Sequence, residues 1–266
     1  MSLGRAPRRE AHAFTIIELL ISIGIIGLLL ALAMPALGGA RLAARQTLGQ
    51  TNIRSVAQTF VQYETTYNTF PFLEPGRAVK GPSGFEVPVQ AGYVGTTWLS
   101  PGSILLSSDP FEMEWMWAGV MAAFVPVEQN YPTWVSPGLP KTIPDIQEVD
   151  ARDQISIRLS NSFIARPELF VASPRPDAKL IAPVRQSDVR HPSSKVMLFD
   201  GHVAFYGKRP EIRESHYDAL TPVAFADGHV ALKNPTQAGE SVPNAMRFAR
   251  NVKLHSTLDG VAGKDY

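Results

Sequence analysis

Residues Phe14 to Leu37, FTIIELLISIGIIGLLLALAMPAL, form an apolar run long enough to leave water. About 20 helical residues at ~1.5 Å rise cross a hydrocarbon layer of ~30 Å, so the run can span a membrane. No charge occurs from Leu19 to Ala40. Gly24 and Gly27 are tolerated better in a membrane helix than in a soluble one, and Pro35 removes a backbone donor and predicts a kink or loosening there or at Gly38-Gly39. Arg5, Arg8 and Arg9 precede the run against one acid, Glu10, which keeps that end in the cytoplasm. Glu18 is the one charge inside the run. An acid at the centre of such a helix costs ~2.5–3.5 kcal/mol, so Glu18 needs a partner or must snorkel toward the headgroups.

The rest of the chain bounds the chemistry. Its 25 basic and 24 acidic residues leave a net charge of +1, which gives no case for nucleic acid as the main partner. The absence of cysteine excludes disulfides, thiolate metal sites and cysteine nucleophiles. No P-loop, G-x-G-x-x-G, H-E-x-x-H or G-x-S-x-G pattern occurs, so the sequence predicts no enzyme and no cofactor.

Two readings of the N-terminus compete. Ile16–Leu30 followed by Ala31-Leu32-Ala33 has the outline of a signal peptide, whose removal would leave a chain starting at Met34. The segment AHA-FTIIELLISIGIIGLLLALAMPAL also resembles the type IV prepilin signature. That resemblance implies cleavage by prepilin peptidase between Ala13 and Phe14 and methylation of the new amino terminus. Ala13 stands where the family has Gly. Glu18 becomes the fifth residue of the mature chain and Pro35 the twenty-second, both positions where pilins carry these residues. By the same resemblance, Glu18 pairs with the amino terminus of a neighbouring subunit and sets filament register.

Beyond Pro35, Leu42, Ile53, Val56, Phe60, Tyr63 and Tyr67 recur at helical steps and predict one long helix with a stripe that packs on a sheet. Asn68 suits the helix end and Pro71 the stop. Residues 71–150 hold half of the 22 prolines and all four tryptophans. Asp109, Pro110 and Glu112 read as the start of a helix running to Phe124. EVPV, GYVGTTWL and TWVSPGL read as short strands and loops. The tryptophans are expected in a small core or against neighbouring subunits, with a ligand platform as the alternative. Gln154–Leu159 alternates with the period of a strand, and Val196–Phe199 is a buried-strand candidate.

Phe199-Asp200-Gly201-His202-Val203 is echoed by Ala226-Asp227-Gly228-His229-Val230. Asp-Gly between apolar runs predicts hairpins over 195–206 and 222–233, with both turn residues able to take positive φ. A sharper alternative is a metal site drawn from Asp200, His202, His216, Asp227 and His229. RHPSSKVMLFDG followed by His216 and PVAFADGHVALK also resembles the C-terminal pattern of the bacterial pilin-like family named for an H-x9-DG motif. Here ten residues separate His216 from Asp227. The segment after residue 245, with His255, is polar and Gly-containing and reads as partly loose.

Together these readings predict an α+β, pilin-like protein: a long N-terminal helix, transmembrane then amphipathic, packed on an antiparallel β-sheet. Its parts are a leader (1–13), a transmembrane and assembly helix (14–37), the amphipathic half of that helix (38–70), a Pro/Trp-rich variable region (71–150), an antiparallel β region with Asp-Gly hairpins (151–245) and a C-terminal tail (246–266). The expected role is a pilin or pseudopilin subunit of a type IV pilus or type II secretion-like filament. It would be a single-pass inner-membrane protein with a cytoplasmic N-terminus, meeting prepilin peptidase, other subunits and lipid. A membrane-anchored binding domain that never polymerises, or a secreted protein released by signal peptidase, is the alternative.

Overall fold

A computed structural model describes residues 15–72, 78–80, 86–88, 94–97, 104–107, 111, 113–122, 124–141, 155–202, 220–244 and 253–266. The chain divides into two compact units at Ala44/Arg45. Helix α1 (Ile16–Tyr67) contributes to both and continues as one helix through Pro35. Every residue from Thr15 to Ala44 is exposed, including Leu19, Ile21, Ile25, Leu29 and Leu32. This helix is long and apolar enough to cross a membrane.

In the second unit α1 buries Gly49, Asn52, Ile53, Val56, Ala57, Phe60 and Tyr63. Leu42 and Tyr67 of the predicted stripe are 37% and 50% exposed, so the buried face is shorter than the periodicity. Asn68 ends the helix at φ +56°, with its N–H donating to the Glu64 carbonyl at 2.7 Å. An Asn tolerates this left-handed geometry because its short polar side chain is compatible with it.

The middle of the chain supplies core. Short antiparallel pairs join β1 (Ala78–Lys80) to β2 (Glu86–Pro88) and β3 (Val94–Thr97) to β4 (Ile104–Ser107). Helix α2 (Met113–Ala122) buries Met113, Trp115, Met116, Trp117, Ala118, Val120 and Met121. A helix apolar on nearly all sides needs protein on nearly all sides, and here it has it. Its expected cap, Asp109, Pro110 and Glu112, lies outside the described residues, as does Trp98. Trp117 links two elements: its ring meets Phe60 edge-on at 5.2 Å, and its indole N–H donates to the Ile157 carbonyl at 3.0 Å. The segment around Thr133-Trp134 is not extended. It closes helix α3 (Val127–Trp134), which buries Val127, Tyr131 and Trp134 at steps of four and three. The Asn52 amide donates to the Val135 carbonyl just beyond it, at 3.2 Å.

Four antiparallel strands follow in spatial order: β5 (Ile157–Leu159), β6 (Val196–Asp200), β7 (Thr221–Phe225) and β8 (Val230–Lys233). A bulge lies between Val196 and Leu198, where β6 pairs with β7. It accounts for the side-chain pattern: Met197 and Leu198 both enter the main core, while Val196 and Phe199 enter a second cluster with Val223, Phe225, Ala238 and Leu254. Both faces of β6 and β7 are therefore buried, which is why VMLF reads as an unbroken apolar run.

From Leu254 on, the C-terminal segment is packed in place of the loose end expected there, while residues 245–252 lie outside the described residues. Leu254, His255, Ser256, Thr257, Val261 and Asp265 are buried, and Asp265 and Tyr266 donate backbone N–H groups to the Ser194 carbonyl. The long helix and antiparallel sheet together make an α+β, pilin-like arrangement.

Candidate assembly site and the Asp-Gly-His turns

Helix α1 starts on a reciprocal cap. The Thr15 backbone N–H and hydroxyl donate to Oε2 of Glu18 at 2.9 and 2.8 Å, and the Glu18 N–H donates back to the Thr15 hydroxyl at 3.3 Å. This is a capping box, in which a Thr and a Glu three residues on satisfy backbone donors that the first helical turn leaves open. Thr15 was not among the sequence candidates, although T-x-x-E before an apolar run is its written signal. The cap places the acid beside the first described residue, next to the expected cut. Ser22 reinforces the turn by donating its hydroxyl to the Glu18 carbonyl at 2.7 Å. Ala13 and Phe14 lie outside the described residues.

The two Asp-Gly-His segments sit at opposite ends of the β6–β7 pair. Asp200 closes β6, whereas Val196 at its start pairs with Phe225, where the Asp227 turn begins. Asp200 is buried; its Oδ1 accepts from the Ser136 hydroxyl and from the His202 backbone N–H, the latter at 2.9 Å. His202 Nε2 lies 3.4 Å from an Arg158 guanidinium nitrogen. Asp200 thus ties the loop after α3 to the end of β6. Gly201 is required here by close approach: a Cβ would stand 3.3 Å from the Ser156 carbonyl and still nearer the Arg158 side chain. The second arm expected for this hairpin, from Val203, lies outside the described residues.

The other turn is complete. Thr221 to Ala224 pair with Lys233 to Val230, the Gly228 N–H donates to the Phe225 carbonyl at 2.9 Å, and the Phe225 N–H donates to the His229 carbonyl at 3.0 Å. Gly228 has φ +87°, but Asp227 does not take positive φ. The loop is therefore a turn with one left-handed Gly and a bulge, in place of the expected pair of positive-φ residues. Asp227 Oδ1 accepts the His229 N–H at 3.1 Å and lies 2.6 Å from its ring Nδ1. The His229 ring stacks on Phe225 at 4.1 Å.

The structure therefore brings Asp227 to His229 and Asp200 to the His202 backbone, but it does not bring the two pairs together. His216 lies outside the described residues. Among the described residues, no three of His, Asp and Glu converge as metal ligands.

Residues 8–34 match the family described as the prokaryotic N-terminal methylation motif. The matched span contains Ala13, Phe14, the Thr15–Glu18 cap and the exposed apolar half of α1. It supports a type IV pilin-like protein and is consistent with anchoring through the N-terminal helix. No curated protein and no solved structure matches the chain.

Proposed function

We propose that this chain is a pilin or pseudopilin subunit of a type IV pilus or type II secretion-like filament. The observation that carries the reading is the coincidence of the methylation motif with an exposed apolar helix holding one acid, Glu18, at its cap. Prepilin peptidase removes residues 1–13, and methylation falls on Phe14. Residues 14–37 sit in inner-membrane lipid with the leader on the cytoplasmic side, and the remaining chain is extracytoplasmic. On assembly, Glu18 exchanges its Thr15 contacts for the amino terminus of a neighbouring subunit, and the apolar surface around it meets other subunits instead of lipid. Charge neutralisation in that apolar setting is worth far more than at a solvated surface. Pro35 lies near the exit from the bilayer, where a missing backbone donor is tolerated. The resemblance to the H-x9-DG family favours the same pilin-like role, with the Asp-Gly-His turns acting as structural hairpins.

Glu18→Ala tests the assembly role. The variant inserts into the inner membrane in wild-type amount but is absent from sheared filament or pseudopilus fractions. Incorporation equal to wild type would remove the register role from Glu18 and favour an anchored domain that does not polymerise.

A further inference from the structure

Lys195 lies immediately before β6, and its side chain is 0% exposed. Its Nζ is 3.1 Å from Oδ2 of Asp265, whose side chain is 1% exposed. Asp265 is the one acceptor within reach of Nζ among the described residues. An ammonium has three donors, and a buried one with a single acceptor is costly. The carboxylate, by contrast, is fixed on both oxygens: Oδ2 accepts the Val196 backbone N–H at 2.8 Å, and Oδ1 accepts the Thr257 hydroxyl. The adjoining cluster of Val196, Phe199, Val223, Phe225 and Leu254, packed on by Tyr266, is apolar. The site thus holds an amine against a polarised carboxyl group in a dry setting, and the chain has no cysteine with which to staple itself.

We propose that Lys195 and Asp265 form a modification site, at which an intramolecular amide links Nζ to the Asp265 side-chain carbonyl carbon. Burial pulls the Lys195 ammonium below its usual range, against the opposing pull of Asp265. One proton passes from Nζ to the carboxylate, leaving amine and acid face to face. The Nζ lone pair adds to Cγ; the Thr257 hydroxyl donates to the oxyanion on Oδ1, while Oδ2, which takes the transferred proton and accepts the Val196 N–H, becomes the leaving oxygen. Collapse of the adduct expels one carboxyl oxygen, which leaves as water with a second proton from Nζ. One amide and one water are formed, and no oxidant or activating group is consumed. The link closes the chain from 195 to 265 around β6, β7 and β8. It does not depend on whether the chain enters a filament.

Tryptic mapping of the purified, denatured full-length protein tests this, independently of N-terminal processing. Acylated Lys195 resists trypsin, so the expected product is peptide 191–208 uncut at Lys195, carrying the residues from Asp265 through its side chain and one water lighter than the sum of the two peptides. Lys195→Met and Asp265→Ala each abolish that product, and Thr257→Val lowers its yield. Cleavage after Lys195 in protein that was folded before denaturation, with free 191–195 peptide and no branched product, overturns the proposal and leaves a buried ion pair.

Discussion

Gly228 has φ +87° and open space around the position a Cβ would take. Replacement by Ala meets only backbone strain, and Gly228→Ala is expected to lower the unfolding free energy by about 1 kcal/mol, read from a denaturant midpoint at unchanged slope. Burial pushes the Tyr131 phenol from its ordinary 10 up to about 12. The unfolded chain loses this proton first as pH rises, so the native state binds more protons between those values and stability falls there. Below pH 10 both states keep the proton and the contribution is intact. Tyr131→Phe is therefore expected to flatten the stability profile between pH 10 and 12 in denaturant titrations; an unchanged slope would assign the alkaline loss to other groups.

Within α1, exposure separates core from surface more sharply than periodicity does. Phe60 is 0% exposed and packs on Trp117, so Phe60→Ala is expected to cost about 3–5 kcal/mol in chemical denaturation. Leu42→Ala, in the same predicted stripe but exposed, is expected to change stability by less than ~0.5 kcal/mol. The stripe was legible because Ile53, Val56, Phe60 and Tyr63 repeat at the helical period. Its ends were not, because periodicity carries no information on where a tertiary partner stops. Helix α3 is not legible, because Pro126, Pro132 and Pro137 around it mask the Val127–Tyr131–Trp134 spacing. The β6 bulge was invisible because both faces of that strand are buried and no alternation remains to be broken. Glu18 stands out as an acid in an apolar run, whereas its partner Thr15, a small polar residue at the edge of that run, has no such contrast with its neighbours.

The two units present different surfaces. The first exposes a continuous apolar helix, while the second buries most of its described aromatics, with Leu254–Thr257, Val261 and Asp265 of the C-terminal segment. The burial of His255 and Asp265 goes with pairings far apart in sequence, His255 with Glu114 and Lys195 with Asp265, which local composition cannot announce. An exposed apolar helix needs an apolar environment, and on the proposed pilin-like reading the methylation motif marks the processing that precedes assembly. N-terminal sequencing with mass analysis of the mature protein from membranes is the most direct test of the pilin-like account. It predicts a chain beginning at N-methylated Phe14. A chain beginning at Met34, released by signal peptidase without Glu18, would contradict it.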